Sequence, residues 1–136
     1  MDHDSEESAE GAPPFSVVRR IESVRHASSG LARVIRSEHN AWLHGVATLL
    51  VIICGWGFGI DRGEWLAVVL AVAIVWTAES FNTAIETLCD VVSPERDPRI
   101  KKAKDISAGA VLVSAIGAFV IGVLIFVPRL LSLIGS

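Results

Sequence analysis

Three long apolar runs, at positions 41–60, 65–92 and 106–127, constrain this chain more than any other feature. Each reaches the ~20 residues that an α-helix needs to cross ~30 Å of hydrocarbon. Inside a bilayer every backbone N–H and C=O must be satisfied within the segment, so such runs are expected as helices. A mean hydropathy of +0.53 with only 20% charged residues fits a membrane protein better than an ordinary soluble domain. At 136 residues there is room for one domain. A soluble kinase, a TIM barrel or a full dinucleotide-binding fold would need roughly 200–250 residues or more.

The flanking segments are of a different character. Residues 1–14 carry five acids (Asp2, Asp4, Glu6, Glu7, Glu10), no Lys or Arg, and end in Pro13-Pro14. They read as a disordered acidic tail and lack the basic start and apolar core of a signal peptide. From 15 to 40, Val17, Ile21, Val24, Leu31 and Ile35 recur at helical spacing, with Arg19, Arg20, Arg25, Arg33 and Arg36 on the other faces. This pattern predicts an amphipathic helix lying on a membrane surface. A polar turn at 61–64 separates the first two runs, and a charged loop at 93–105 separates the second and third.

The expected organisation is a tail at 1–14 and one membrane-embedded domain at 15–136. The fold class is an all-α membrane protein: a surface helix plus three transmembrane helices. Ten of the twelve Lys and Arg residues fall on the amphipathic helix or the 93–105 loop, which three spans place on the same side. The positive-inside rule makes that side cytoplasmic, with the N-terminus inside and the C-terminus outside. Trp42, Trp56 and Trp65 fall near the interfaces. Cys54 and Cys89 stand 35 positions apart in apolar surroundings and read as packing residues.

The second run contains four residues that hydrocarbon should reject: Glu79, Asn82, Glu86 and Asp90. At 100° per residue, Glu86 and Asp90 fall about 20° to either side of Glu79, and Asn82 about 60° away, so all share one helix face. A charge at mid-bilayer costs on the order of 3 kcal/mol, which makes an idle Glu79 improbable on physical grounds. Glu38 ends the surface helix, and Lys104 with Asp105 opens the third run, all at the same level of the membrane. Carboxylates there could hold Mg²⁺, a lysine could neutralise a phosphate, and a carboxylate could accept a hydroxyl proton. A proton or cation pathway would use the same acids.

Two stretches carry a resemblance. Glu79-Ser-Phe-Asn82-Thr-Ala-Ile-Glu86-Thr-Leu-Cys-Asp90 is followed by Lys101-Lys-Ala-Lys104-Asp105-Ile-Ser-Ala-Gly109-Ala-Val. Together they resemble the prokaryotic diacylglycerol kinase family, which includes the undecaprenol kinases; the likeness extends over roughly 15–127. The resemblance implies a homotrimer of such chains that phosphorylates a lipid alcohol with ATP and Mg²⁺. It implies Glu79 as catalytic base and Glu38 and Glu86 as metal ligands, with Asn82 and Asp90 supporting the site. Lys104 and Asp105 would meet the nucleotide phosphates, with Glu95, Asp97, Arg19 and His26 near the nucleotide. His26 and Asp97 depart from the residues frequent at those positions in the family, Tyr and His. The segments Ser93-Pro94-Glu95, Asp97-Pro98 and Ile100-Lys-Lys-Ala-Lys-Asp look more like the undecaprenol branch than the enteric diacylglycerol branch, so a polyprenol substrate is favoured over diacylglycerol.

Other signals are set aside. No G-x-x-x-x-G-K-[ST], H-R-D or D-F-G motif is present, which excludes P-loop and protein-kinase chemistry. Gly55-Trp-Gly-Phe-Gly59 lacks the spacing of a phosphate loop and reads as packing or a helix end. His39 and His44, five apart, do not share a helix face as a metal pair would. Ala110, Ser114, Ala118 and Gly122 form a small-residue stripe suited to close helix packing. Nucleic-acid binding has no support. The expected location is a prokaryotic inner or plasma membrane, with the site facing the cytoplasm.

Overall fold

The computed structural model describes residues 16–37, 39–92 and 97–135, so the expected tail at 1–14 lies outside the described residues. Four helices follow one another: α1 (Val17–Ser37), α2 (His39–Phe58), α3 (Arg62–Val92) and α4 (Pro98–Ile134). The last three are long and apolar enough to cross a membrane. Helix α1 turns Val34 inward and touches α2 and α3, while Val17, Ile21, Val24, Leu31 and Ile35 remain exposed. Among the described residues an apolar stripe opposite arginines is thus left largely uncovered, as an interfacial helix requires.

The α2–α3 hairpin is closed by local chemistry. Gly59 adopts φ +60°, a left-handed conformation that glycine enters without steric cost. Its N–H donates to the Trp56 carbonyl at 3.3 Å, and the Ile60 N–H donates to the Gly55 carbonyl at 3.2 Å. This double bond pattern is the Schellman end of a helix. Helix α3 then begins with a reciprocal cap: the Asp61 N–H donates to Glu64 Oε2, and the Glu64 N–H donates to Asp61 Oδ1, both at 2.9 Å. Residues 62–64, expected as turn, are therefore the first turn of α3. Gly55 makes room for the next layer, because a Cβ there would lie 2.8 Å from Cη2 of Trp65. Trp65 in turn packs on Trp56 with ring centroids 5.7 Å apart.

Helix α4 starts earlier and ends later than the apolar run 106–127. Asp97 caps it, accepting from the Arg99 N–H at 2.7 Å, and Pro98 occupies the first turn, where a missing N–H is harmless. Arg99, Lys101, Lys102 and Lys104, expected in a loop, thus lie on the first two turns of a helix. Pro128 does not end α4, which runs on to Ile134.

Helix α3 packs most extensively on α4. Ile60, Val68 and Ile125 form a buried cluster near the hairpin, flanked by Phe58, Trp65 and Phe126. Cys89 is buried and Cys54 half-buried, both as free thiols. Most large apolar side chains face outward, among them Val113 and Phe119, each 72% exposed. In water this would be an aggregation surface; on a membrane helix it is the face turned to lipid or to other helices. Two ion pairs clasp α3 and α4 at opposite ends: Glu64 with Arg129 at 2.7 Å, and Asp90 with Lys104 at 2.8 Å.

Gly55→Ala is expected to force the Trp65 ring to move and to destabilise the fold by about 1–3 kcal/mol, the usual range for overpacking. A lower thermal midpoint in detergent, with altered tryptophan fluorescence, checks it. At the α4 cap, the Arg99 guanidinium and backbone N–H hold the Asp97 carboxyl below its ordinary value of 3.8. A depressed carboxylate contributes stability above its ordinary value and loses that contribution as pH falls through the lowered one. Protection of the residue-99 amide in hydrogen exchange should therefore persist to below pH 3.8, and Arg99→Ala should bring its loss back up toward that value.

Candidate active site

Helix periodicity puts Glu79, Asn82, Glu86 and Asp90 on one face of α3, and the fold grades their exposure along it. Glu79 is 1% exposed, Asn82 is buried, Glu86 is half-buried and Asp90 is exposed. The polar stripe therefore leads from the bundle interior to the end where α4 begins.

Helix α4 meets the middle of this stripe. Ser107 Oγ lies 2.7 Å from Asn82 Oδ1 and 2.9 Å from the Lys104 carbonyl, so its proton is shared between two acceptors. With its oxygen engaged by Ser107, the Asn82 amide presents Nδ2 to Glu86 Oε1 at 3.1 Å. Ser107 and Asn82 are both buried, which makes their hydrogen bond costly to leave unmade. One turn nearer the helix start, Lys104 Nζ donates to Asp90 Oδ1. The lysine is thereby held beside the stripe, with the acid that fixes it on α3.

Helix α2 meets the inner end. His44 Nε2 stands 3.8 Å from Glu79 Oε2. Toward the hairpin, Trp76 Nε1 donates to Thr48 Oγ1 at 3.2 Å, and that hydroxyl donates to the His44 carbonyl at 2.7 Å. An apolar cleft of about 430 Å³ opens between α2, α3 and α4, with His44, Thr48, Val75, Ala118 and Gly122 on its walls.

The structure thus brings together Asn82, Glu86, Asp90 and Lys104 across α3 and α4, and sets Glu79 on the same face against His44. It engages other expected residues locally. Asp105 pairs with Lys101 at 2.6 Å, and Asp97 is the α4 cap, paired with Arg99 at 2.8 Å. Arg19 and His26 are exposed on α1, seven residues and two turns apart, hence on one face. Glu38 and Glu95 lie outside the described residues. Among the described residues no three His, Cys, Asp or Glu side chains converge as a metal site. Mg²⁺ does not need such a cage, since it is commonly held by one or two carboxylates together with phosphates and water. The half-buried, hydrogen-bonded Glu86 fits that kind of donor.

His44 and Ser107 were missed from sequence. Ser107 carries a signal in retrospect: it stands three residues after Lys104, on the same helix face. His44 carries none within α2, because its partner is set by how α2 and α3 pair.

Fold and polar stripe together define a small helical membrane protein built around an acidic site. Residues 25–126 match the prokaryotic diacylglycerol kinase family. The undecaprenol kinase of Bacillus subtilis is 38% identical over 112 residues, spanning 82% of this chain and 91% of that protein. A diacylglycerol kinase of Synechocystis is 30% identical, over 82% of this chain and 64% of that protein. The diacylglycerol kinase of Escherichia coli K12 is 25% identical, over 68% of this chain and 88% of that protein. The chain belongs to the prokaryotic diacylglycerol kinase family, and is a lipid kinase.

Ser107→Ala leaves the buried Asn82 oxygen without its donor. It is expected to cost about 1–3 kcal/mol, seen as a shifted midpoint in denaturant-induced unfolding from mixed micelles.

Proposed function

We propose that the protein transfers the γ-phosphate of ATP to the hydroxyl of a lipid alcohol, undecaprenol in preference to diacylglycerol. The observation that carries this reading is the buried Glu79 carboxylate. It lies at the inner end of a stripe that reaches Glu86, Asp90 and Lys104 at the other. The higher identity to an undecaprenol kinase than to the enteric diacylglycerol kinase supports the polyprenol.

In this mechanism the lipid hydroxyl oxygen attacks the γ-phosphorus, its proton passes to Glu79, and the bond from that phosphorus to the bridging oxygen breaks to release ADP. Glu79 suits the role because its carboxylate lies at the buried end of the stripe, apart from bulk water. Lys104 offsets charge on the phosphate, and Asp90 keeps it in place. Asn82, oriented by Ser107, holds Glu86. Glu86 with Glu38 would hold Mg²⁺, which supplies charge neutralisation to the phosphates. Asp105, Glu95, Asp97, Arg19 and His26 are the remaining candidates for nucleotide contact.

The basic residues of α1 and of the first turns of α4 are assigned to the cytoplasmic side of the inner or plasma membrane, where ATP is found. A homotrimer is proposed as the assembly, which the outward apolar faces would accommodate. A proton or cation conductor built on the same acids is disfavoured by Lys104 at the mouth of the stripe, since a cation pathway gains nothing from an ammonium there.

The test is purified protein in mixed micelles with Mg·ATP, offered undecaprenol and diacylglycerol separately. Undecaprenol is expected to be phosphorylated faster. Glu79→Gln should lower kcat by about 10²–10⁴-fold, the usual worth of a general base. Failure to phosphorylate either lipid overturns the reading; an undiminished Glu79→Gln variant overturns the role of Glu79.

A further inference from the structure

We infer that His44 is a positioning residue for the reaction, acting through Glu79; this rests on the role proposed for Glu79 above. The two side chains meet across the α2–α3 interface, with Nε2 of His44 3.8 Å from Oε2 of Glu79. The histidine side chain is 17% exposed and the glutamate 1%, so the contact is made in a largely dry setting, where an oriented N–H acts strongly on a carboxylate. The separation is within ion-pair reach and just beyond a formed hydrogen bond. Catalytic contacts of this kind are commonly long before substrate is bound and shorten in the reacting complex.

The approach is built into the packing. Helices α2 and α3 run antiparallel from the Gly59 turn, so a step toward the hairpin on one is matched by a step toward it on the other. Thr48 lies four residues beyond His44 in that direction and Trp76 three residues before Glu79, advances of about 6 Å and 4.5 Å. The Trp76–Thr48 hydrogen bond thus forms one turn from the His44–Glu79 contact and fixes the register that creates it. The same hydroxyl donates to the His44 carbonyl, tying that turn of α2 to the α3 indole.

His44 also walls the apolar cleft between α2, α3 and α4, so the residue that meets Glu79 borders that space as well. Its task is to hold the Glu79 carboxylate in the rotamer that faces the incoming hydroxyl. A donor N–H at that distance is the property required, and ring bulk alone does not supply it.

The experiment compares His44→Gln, which keeps an N–H donor, with His44→Phe, which keeps bulk, and His44→Leu, which keeps neither donor nor ring. Each is assayed in undecaprenol mixed micelles with Mg·ATP, with thermal midpoints measured in parallel. His44→Phe and His44→Leu should lower kcat at least tenfold and leave KM for Mg·ATP within twofold, while His44→Gln stays within about threefold of the parent kcat. A merely structural role predicts the reverse order, with Phe tolerated and Gln not, and a fall in thermal midpoint that follows activity. That result overturns the inference, as does full kcat in a folded His44→Phe or His44→Leu. Should Leu not fold, the Phe and Gln pair decides alone. If Glu79→Gln is inactive while His44→Phe is fully active, the positioning role fails and the base survives; if Glu79→Gln is fully active, the proposed base itself has failed.

Discussion

A carboxylate inside a membrane-spanning helix is the constraint on which the rest of this structure depends. Left facing lipid, Glu79 would cost on the order of 3 kcal/mol or more, and Asn82 would add an unmet amide. Both are instead turned into the bundle and buried. That choice fixes the rotation of α3, and through it the faces that α2 and α4 can occupy. Helix α4 supplies Ser107 to Asn82, and α2 supplies His44 to Glu79. With α3 so oriented, its apolar opposite faces have only lipid or further helices to meet.

The ion pairs at the two ends of α3 and α4 fit this constraint. Glu64 and Asp90 are 26 positions apart on α3, and Lys104 and Arg129 are 25 apart on α4. At 1.5 Å per residue these separations are about 39 and 37.5 Å, so the two antiparallel helices carry their clasps at matched intervals. Half-exposed pairs contribute little to stability singly. Placed at both ends of one interface, they resist sliding, because a one-turn slip of about 5.4 Å would break both together and separate Ser107 from Asn82.

How much of this was legible in the sequence follows from the range of the interactions. The spans, their order and the acidic face of α3 depend on periodicity within one segment, and the described residues bear them out. The start of α4 is hidden because Pro98 and the lysines read as loop by composition, whereas Asp97 makes them a capped helix start. Residues 62–64 read as turn for the same reason, since a reciprocal cap and a polar turn have similar composition. Of the site, the α3 residues and Lys104 could be read from spacing and from the family motif. Ser107 offers only its place on the Lys104 face of α4, and His44 and the Glu64–Arg129 clasp could not be read, because each depends on the register between helices, which no single segment encodes. Asp97 and Asp105, read as nucleotide contacts, carry local bonds to Arg99 and Lys101 that their sequence neighbours make available.

The gradient along α3 links the fold to the proposed chemistry. A lipid alcohol is confined to the membrane and a nucleotide to water, so a transfer between them needs a surface continuous from one phase to the other. Successive polar residues of a single helix provide it: about 16.5 Å separates Glu79 from Asp90 along the axis. Over that distance exposure rises from 1% at the Glu79 side chain to 70% at that of Asp90. Electrostatic interactions are strongest at the dry end, where a proton would move, and most screened at the wet end, where the highly charged nucleotide would arrive. Exchanging these environments would open the proton transfer to bulk water, and would require the phosphates to shed theirs. The direction of the gradient, more than the presence of any one acid, is therefore what suits this small bundle to a substrate that cannot leave the membrane.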